Sequence, residues 1–492
     1  MSVTSQEQTK ERTQRQAEKE SKQASRHFYH AIWRWHFYAG LFVVPFLLIL
    51  AVTGLIMLYQ PLLETQFEAD KYYVEPASKG VSIEYQKQQV ALAYSGTIKK
   101  FIPAKASNLS SQFIVKSSQG PNLKIFVNPY TGKVLGDINL DAGLYAISND
   151  IHGSLLIGDL GDRIMELTAS FTILLAITGS YLWWPKKSRN SSKGNRFIQA
   201  IKIRRQDGKR LFWRDLHGIT GLSSLIFLVF FSLSGLAWSG IWGGELVQAW
   251  SSFPMEKRAS NFNSSPILDP DDIHANHKSL NTGVIETMPW NLELSPLPES
   301  GTNDGLNGIA EGTKVTLDSV FDFAKRIGFS QFQINLPSNE TGVYTVSANT
   351  MSGDIQDASD DRTLHLDQYT GKILADITYA DYNLMAKSMA VGIALHQANF
   401  NRWNLVLNTF ACSLIILLSV SGIYIWWLRR PNQTSGLSAP PMPQNLGRWK
   451  YASLLMLGLS LFLPLAALCL ISLMLLDALF VRFMPSLKRL YQ

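Results

Sequence analysis

Four apolar stretches, each long enough to cross a bilayer as a helix, constrain this chain more than any other feature. They are residues 37–59, 164–184, 218–241 and 403–428. A helix needs about 20 apolar residues to cross a hydrocarbon core of about 30 Å. A fifth stretch, 451–480, exceeds one span and contains Pro464, so one kinked helix and a broken pair both remain open. The sequence therefore predicts a multi-pass membrane protein, mainly an α-helical bundle.

Basic residues in the short connections predict the orientation of the chain. Residues 186–214 hold eleven Lys or Arg and one acid, Asp207, while 429–450 hold four basic residues and no acid. By the positive-inside rule, both connections face the cytoplasm. The net charge of +7 is then mainly a topology signal, and we expect no nucleic-acid partner.

The first 35 residues are polar, charged and rich in Gln, and they lack the apolar core of a signal peptide. We therefore expect a disordered cytoplasmic tail and a retained first span, which places the long connections outside. The expected order is a tail, 1–35; a span, 36–59; an outer domain, 60–162; a span, 163–185; a basic loop, 186–213; a span, 214–241; an outer domain, 242–402, with an insertion at 243–305; a span, 403–428; a linker, 429–450; and a C-terminal apolar segment, 451–480.

The two outer segments contain the same strand–turn–strand motif. Residues 130–138 read Tyr-Thr-Gly-Lys-Val-Leu-Gly-Asp-Ile, and residues 369–377 read Tyr-Thr-Gly-Lys-Ile-Leu-Ala-Asp-Ile. Gly132 and Gly371 are expected to supply the positive φ of a tight hairpin. An alternating strand precedes each motif, so each outer segment is predicted to be a small α+β domain. Together with the spans, this pattern predicts an internal two-fold repeat, whose main asymmetry is the insertion 243–305.

Four histidines occupy matched positions in the two halves of the predicted repeat, residues 36–185 and 214–428. His36 and His217 open the first and third spans, and the Gly of a hydroxyl–Gly pair follows each by 18 residues. His152 and His396 precede the second and fourth spans, 27 and 26 residues before the Gly of a similar pair. The four hydroxyl–Gly pairs are Thr53-Gly54, Ser234-Gly235, Thr178-Gly179 and Ser421-Gly422.

A two-fold arrangement of the halves would bring like histidines together. Two imidazoles that face each other in a helix bundle are the axial ligands of a b-type haem. The chain has no Cys-x-x-Cys-His motif for covalent haem. We therefore predict two haem b groups, with His36 and His217 as iron ligands on the cytoplasmic side and His152 and His396 on the outer side. Taken singly, each histidine could be an ordinary interfacial or loop residue, and it is the repetition that favours ligation.

Other residues beside the histidines could serve the same cofactors. Candidates for binding the haem propionates are Arg34 and Arg214 on the cytoplasmic side, and Arg163 and Arg402 on the outer side. Gly40 and Gly221, one turn from their histidines, would leave room for the flat macrocycle. The alternatives are membrane-interface anchoring for the arginines and close helix packing for the glycines.

Several of these motifs together resemble a known family. The hairpins, Pro289-Trp-Asn-Leu-Glu293, and His152-Gly-Ser-Leu-Leu-Ile-Gly158 before a helix ending in Leu-Trp-Trp-Pro185 look like the PepSY-associated transmembrane family. Within it, the chain is similar to bacterial inner-membrane ferric-siderophore and ferric-iron reductases that carry two b haems. The resemblance implies two periplasmic PepSY-like domains. It also implies electron transfer across the inner membrane to ferric iron or a ferric siderophore, for iron acquisition.

The residues alone leave two other functions open. One is a transporter component for a metal or siderophore, which an internal repeat would suit, and the other is a non-enzymatic membrane sensor that binds a peptide. The sequence contains no nucleotide-binding glycine motif, so electrons would come from a cytoplasmic reductase or a membrane quinol. For a reductase we expect the substrate in a pocket between the two outer domains and close to the His152/His396 haem, with the insertion around Trp290 as a candidate lid or wall. The alternative for Trp290 is an ordinary packing role.

Overall fold

The structure is a computed structural model that describes residues 3–117, 120–185, 200–248, 292, 297–302, 305–430, 454, 457–458 and 461–472. Trp290 with most of the predicted insertion, residues 186–199 of the basic loop, and most of the linker 429–450 lie outside the described residues. The chain divides into two compact units. The first comprises Met1–Val52, Arg163–Leu236 and Ala411–Gln492, and the second comprises Thr53–Asp162 and Ala237–Phe410.

Four of the helices match the predicted spans. The helices are α1, Val3–Phe67; α2, Ala69–Tyr72; α3, Ile83–Ala93; α4, Leu144–Ser154; α5, Asp159–Trp183; α6, Lys209–Leu236; α7, Leu317–Arg326; α8, Leu384–His396; and α9, Arg402–Arg429. Residues Phe28–Phe67 of α1, together with α5, α6 and α9, are long and apolar enough to cross a membrane. The chain is therefore a membrane protein, with four candidate spanning helices among the described residues, and these helices are suited to contact with the lipid bilayer.

The first helix begins much earlier than the sequence pattern indicates. Because α1 is continuous from Val3 to Phe67, the prediction of a disordered tail over residues 1–35 is wrong. The reason lies in local composition: residues 3–35 contain neither Gly nor Pro and are rich in Glu, Gln, Lys and Arg, which have high helix propensity. A polar helix can therefore run into the apolar span without a break.

The fifth apolar stretch is interrupted at its proline. A turn at residues 461–463 precedes a helical segment at 464–472. Pro464 is thus the first helical residue of that segment, where a missing backbone N–H leaves no helix bond unmade. This break favours two helical pieces over one kinked helix, and much of 451–480 lies outside the described residues.

The described strands form one eight-stranded sheet in the second unit. In chain order they are β1, Thr97–Ile102; β2, Ser111–Lys116; β3, Asn122–Val127; β4, Val134–Asn139; β5, Gln333–Asn335; β6, Val343–Ala348; β7, Arg362–Asp367; and β8, Ile373–Thr378. Their spatial order is β4-β3-β2-β1-β5-β6-β7-β8, and neighbouring strands are antiparallel. At the centre β1 pairs with β5, so that Lys100 faces Asn335 and Phe101 faces Ile334.

This joined sheet corrects the prediction of two separate outer domains with a substrate cleft between them. The two segments share one sheet, and their Tyr-Thr-Gly-Lys hairpins, β3–β4 and β7–β8, lie at its opposite ends. β3 and β7 are five strand positions apart, which is about 24 Å at about 4.8 Å per strand. The physical reason is the edge of β1, because pairing with β5 satisfies backbone groups that a separate four-stranded domain would leave open.

Helices α3 and α7 pack on one face of the sheet in a single core. Fully buried members come from both segments, among them Val90, Phe113, Leu317 and Val346. The carboxylate of Asp318, at the start of α7, also accepts hydrogen bonds from the first backbone N–H groups of α3, at 2.6 and 3.0 Å. A negative charge at a helix N-terminus is stabilising. The two segments are therefore joined through their helices as well as through their strands.

The two Tyr-Thr-Gly-Lys hairpins have the same geometry. Gly132 and Gly371 have φ of 76° and 67°, which confirms the predicted positive φ. In each hairpin the side chain two residues before the Tyr, Asn128 or Asp367, accepts from the N–H groups of the Tyr and the following Thr. The order of elements is also the same around both hairpins, namely a helix, four strands and a second helix.

Candidate functional site

Helices α4 and α8 bring His152 and His396 together. Their ring centroids are 6.5 Å apart, and the ring planes are nearly perpendicular, at 83°. A metal held between two imidazoles would separate the ring centres by about 6 Å, since each metal–nitrogen bond is about 2 Å long and each ring centre lies about 1 Å further. Each ring can rotate about such a bond, so perpendicular planes are compatible with it. The observed spacing therefore fits two ligands on opposite sides of one metal.

His152 is held in place by α1. Its Nδ1 atom lies 2.9 Å from Oγ1 of Thr53. The next residue on α1, Gly54, faces the same ring, because a Cβ added there would lie 3.7 Å from Cε1 of His152. A histidine that binds a metal usually makes such a hydrogen bond with its second ring nitrogen, so Nε2 would be the ligating atom of His152.

The turn after α4 is tight and fixes the start of α5. Leu155 and Leu156 have φ of 52° and 61°, in the left-handed region that few non-glycine residues adopt. A Cβ added at Gly161, near the start of α5, would overlap the carbonyl oxygen of Ser154. The end of α4, where His152 lies, therefore has little freedom to move relative to the start of α5.

His396 is the last residue of α8, and its backbone is anchored. Nδ2 of Asn408 donates to the carbonyl groups of Leu395 and His396, at 2.8 and 3.0 Å, and Nδ2 of Asn404 donates to that of Leu395 at 3.0 Å. These bonds satisfy carbonyls that a helix end leaves without helical partners. Burial, with a further contribution from His152, lowers the pKa of His396 to about 3. The ring is therefore neutral at physiological pH, as metal ligation requires.

Glycines beside these two rings leave open space. Gly153 directly follows His152, and Gly392 lies one helical turn before His396. A Cβ added at either position would meet no atom within 4 Å. A flat macrocycle held between two imidazoles would need such space on their flanks, so the residues present would fit a haem held by His152 and His396.

The second predicted pair lies in the first unit, with His36 on α1 and His217 on α6. The two rings are close enough to interact electrostatically. Nδ1 of His36 lies 2.9 Å from Oγ1 of Thr178 on α5. Nδ1 of His217 lies 3.1 Å from both the Oγ of Ser421 and the carbonyl oxygen of Leu418 on α9. Ligating histidines usually make such a bond with their second ring nitrogen.

Sequence reasoning missed the role of the hydroxyl–Gly pairs. The pairs beginning at Thr53, Thr178 and Ser421 each lie beside a histidine of a different helix. A Cβ added at Gly179 would lie 3.1 Å from Cε1 of His36, and one added at Gly422 would lie 3.3 Å from Cε1 of His217. The sequence showed the pairs at regular distances from the histidines, but only the packing of the helices shows which ring each pair contacts.

Gly40 and Gly221 pack against neighbouring helices. A Cβ added at Gly40 would lie 3.9 Å from Cδ2 of Leu175, and one added at Gly221 would lie 3.4 Å from Cδ1 of Leu418. These contacts agree with the helix-packing alternative. That the two glycines also make room for a macrocycle stays a prediction.

The two arginines predicted on the cytoplasmic side have polar partners nearby. Nη2 of Arg34 donates to the hydroxyl of Tyr38, at 3.1 Å. Nη2 of Arg214 donates to the carboxylate of Asp215, at 3.0 Å. Binding of haem propionates by either arginine stays a prediction.

The two arginines predicted on the outer side differ in their surroundings. Arg163 lies 3.8 Å from the buried carboxylate of Glu166, whereas Arg402 is exposed at the first residue of α9. Their binding to propionates likewise stays a prediction. A cation that the sequence did not single out is Arg429, whose guanidinium lies 4.7 Å from the ring centroid of Trp33, three residues before His36.

Neither pair resembles a site for a free metal ion. In the part of the chain that the structure describes, no three His, Cys, Asp or Glu side chains group as a metal-ion site. Two imidazoles provide too few ligands for a structural ion such as zinc, which takes about four. The pairs therefore suit a metal that arrives with its own equatorial ligands, as haem iron does.

Comparison with known proteins places the chain in a family. No curated protein matches the sequence. The profile of the family described as "PepSY-associated TM region" matches residues 33–429, a range that contains all four paired histidines. The match covers well over half of the chain, so this protein belongs to the PepSY-associated transmembrane family.

Proposed function

We propose that this protein is a transmembrane dihaem b reductase that moves electrons across the bacterial inner membrane to ferric iron or a ferric siderophore in the periplasm. The observation that carries the proposal is the His152/His396 pair, whose ring centroids are 6.5 Å apart. The His36/His217 pair supports it independently, because both of its Nδ1 atoms are engaged by protein groups. Paired imidazoles with an oriented second nitrogen are what haem ligation needs.

In this proposal the chain sets the orientation and the protonation state of the ligating histidines, and the haem would supply the redox chemistry. Bound haem would provide reversible one-electron transfer. Each histidine pair would hold one haem b through its Nε2 atoms. Burial keeps His396 neutral, and hydrogen bonds to Nδ1 orient His36, His152 and His217.

The basic residues give the proposed direction of electron flow. The cluster at 200–214 and the pair at 429–430 would face the cytoplasm by the positive-inside rule. His36 and His217 then belong to the cytoplasmic side, and His152 and His396 belong to the periplasmic side together with the sheet. Electrons would enter at the first pair and leave at the second.

The electron balance is simple. A ferric centre accepts one electron and becomes ferrous, which oxygen-donor chelators hold less tightly. The donor would be a cytoplasmic reductase or a membrane quinol, because the sequence carries no nucleotide-binding glycine motif. The proposed substrate surface stays close to the His152/His396 pair, as predicted from the sequence, but the joined sheet replaces the two domains between which the pocket was expected.

The test uses full-length protein in membrane vesicles of known orientation. We expect about two non-covalent haems per chain, and reoxidation of pre-reduced protein by a membrane-impermeant ferric chelate added at the periplasmic face. His152→Ala should lower that rate by about tenfold or more, since it removes a haem ligand. His30→Ala, which changes a histidine of α1 outside both pairs, serves as the control.

Two results would contradict the proposal. Purified protein without absorption bands that respond to dithionite would exclude a haem reductase and leave the transporter component and the sensor. Reoxidation from the cytoplasmic face alone would reverse the proposed orientation.

A further inference from the structure

We infer that Thr178 and Ser421 are positioning residues that fix His36 and His217 in the tautomer with hydrogen on Nδ1. Each ring then presents the lone pair of Nε2 to a bound metal. The consequence for haem rests on the proposed function, whereas the tautomer is a property of the chain itself.

The hydroxyl of Thr178 has a carbonyl acceptor for its own hydrogen and can therefore accept a hydrogen bond from the ring. A hydroxyl group has a single hydrogen to donate. That hydrogen is directed to the carbonyl oxygen of Leu174, one turn back in α5, at 2.8 Å. With that hydrogen engaged by Leu174, the 2.9 Å contact between Oγ1 and Nδ1 of His36 is a hydrogen bond when the nitrogen carries the hydrogen, which is the tautomer we infer. Neutral imidazole has one N–H, so Nε2 carries the lone pair.

The same reasoning applies to Ser421, with a second acceptor beside it. The hydroxyl donates to the carbonyl oxygen of Leu418, at 2.9 Å. The carbonyl itself is an acceptor only, and it lies 3.1 Å from Nδ1 of His217. Both neighbours of Nδ1 are thus acceptors, and His217 must donate to one or both of them. Two acceptors therefore favour this tautomer of His217, whereas for His36 the argument rests on the hydroxyl of Thr178.

Glycine completes the arrangement on both helices. Gly179 follows Thr178, and Gly422 follows Ser421. A Cβ added at Gly179 would lie 3.1 Å from Cε1 of His36, and one added at Gly422 would lie 3.3 Å from Cε1 of His217, so a side chain at either position would crowd the ring. The hydroxyl orients the ring, and the absent side chain lets the ring approach the helix. A donated hydrogen bond from Nδ1 also makes Nε2 a better electron donor, which favours ferric over ferrous iron.

Helix α5 provides a matched control for this idea. Thr172 is buried and donates to the carbonyl oxygen of Thr168, at 2.7 Å, in the same way that Thr178 bonds to Leu174. If the Thr178 hydroxyl served only the helix, replacing either threonine by the isosteric Val would have the same effect. If it orients His36, only Thr178→Val changes the ring.

The experiment measures ring tautomer and midpoint potential in the full-length protein. Ring ¹⁵N NMR of histidine-labelled, reduced protein should show hydrogen on Nδ1 of His36 in the wild type, with the signal assigned by its loss in His36→Ala. Thr178→Val should weaken or abolish that state and reduce haem affinity at this site by about tenfold. If the loss falls on the ferric form, the potential rises by about 59 mV. Thr172→Val should leave both readouts unchanged, and Thr178→Ser should restore them.

Ser421→Ala should have a smaller effect than Thr178→Val. Because the carbonyl of Leu418 remains, His217 should keep its tautomer, and the change in potential should be smaller than in Thr178→Val. Equal effects of Thr178→Val and Thr172→Val, or hydrogen on Nε2 of His36 in the wild type, would overturn the inference. Protein that binds no haem would refute the proposed function instead, and the NMR measurement would still decide the tautomer.

Discussion

At the scale of single residues, Asp361 is a carboxyl group buried close to a second one, Asp354. Burial, opposed by a hydrogen bond from the backbone N–H of Thr350 and strengthened by the charge of Asp354, raises the pKa of Asp361 to about 7. Burial also raises the pKa of Asp354 to about 6. An unfolded chain would hold neither proton at neutral pH. Both groups therefore make the folded state sensitive to pH.

The sign of that sensitivity follows from linkage. Between about pH 4 and pH 7 these two carboxyl groups bind more protons in the folded state than in the unfolded state, so their contribution to stability falls as the pH rises. Asp361→Asn removes one titrating group and keeps the acceptor for Thr350. We expect the variant to lose less stability over this range and to gain on the order of 2 kcal/mol relative to the wild type at about pH 7.5. Thermal unfolding in detergent at both ends of the range measures this.

The titration of His365 changes stability with pH in the opposite direction, so the effect of Asp361 is read from the difference between the variant and the wild type. His365 is buried in β7, where Oγ1 of Thr345 lies 2.8 Å from its Nδ1, and burial lowers its pKa to about 4. Its effect is present in the wild type and in the variant alike, so the difference between them isolates Asp361. Asp360→Asn, at an exposed neighbouring position, is the control. An equal change in Asp360→Asn would contradict the prediction.

The sequence predicted the histidines but not the residues that orient them. His152 and His396 could be matched because repetition shows which residues are equivalent, and the structure places them together. Thr178 could not be assigned to His36, because that contact spans 142 positions and depends on how two helices pack. Local patterns of polarity do not encode such packing.

At the scale of elements, the turn between α4 and α5 controls the position of His152. Two consecutive leucines at positive φ are unfavourable and persist only where the surroundings enforce them. The close approach of Gly161 to the carbonyl of Ser154 is such a constraint. The helix that carries the ligand is thus positioned by a glycine nine residues further along the chain.

Gly161→Ala tests this directly. A methyl group at this position cannot fit without moving α4, so we expect His152 to be displaced and the haem of its pair to be lost. The His36/His217 site should remain, and the haem content should fall from about two to about one per chain. Gly143→Ala, where an added Cβ makes an ordinary 3.5 Å contact with Asn139, should retain both haems. Retention of both in Gly161→Ala would show that the turn does not position His152.

Elements were predictable from sequence where their signals are short-range. The Tyr-Thr-Gly-Lys hairpins were identified correctly, because a glycine at positive φ between alternating strands is a local signal. The pairing of β1 with β5 was not predicted, since it joins residues 100 and 335. The helical start of α1 is less predictable, because a charged and polar composition is typical of disordered tails as well as of exposed helices.

At the scale of the whole molecule, the sheet and its core make the two outer segments one cooperative body. Phe113 of β2 is fully buried and belongs to the same core as Val346 of β6 and Leu364 of β7. A cavity made in the segment that contains β1 should therefore also destabilise the segment that contains β5. If the segments were two independent domains, a cavity in one would leave the stability of the other unchanged.

Phe113→Ala should raise hydrogen exchange in strands of both segments. The lost side chain costs about 3–5 kcal/mol in a packed core, which lowers the free energy of opening for the whole sheet. Exchange followed by mass spectrometry should increase in β6 and β7 as well as in β2 and β3. Leu92→Ala, at an exposed position of α3, should leave exchange nearly unchanged. An increase confined to β1–β4 would show that the segments open separately.

The antiparallel pairing of β1 with β5 also bears on the origin of the chain. Each is the first strand of its four-stranded segment, and antiparallel contact between like strands is the way two identical subunits join across a two-fold axis. A polypeptide of half this length could form the same sheet as a homodimer, with each histidine pair built from one residue and its symmetry mate. Gene fusion would then supply the second subunit at high effective concentration. It would also free one copy to acquire sequence that the other lacks, which is what the sequence predicts for the insertion 243–305.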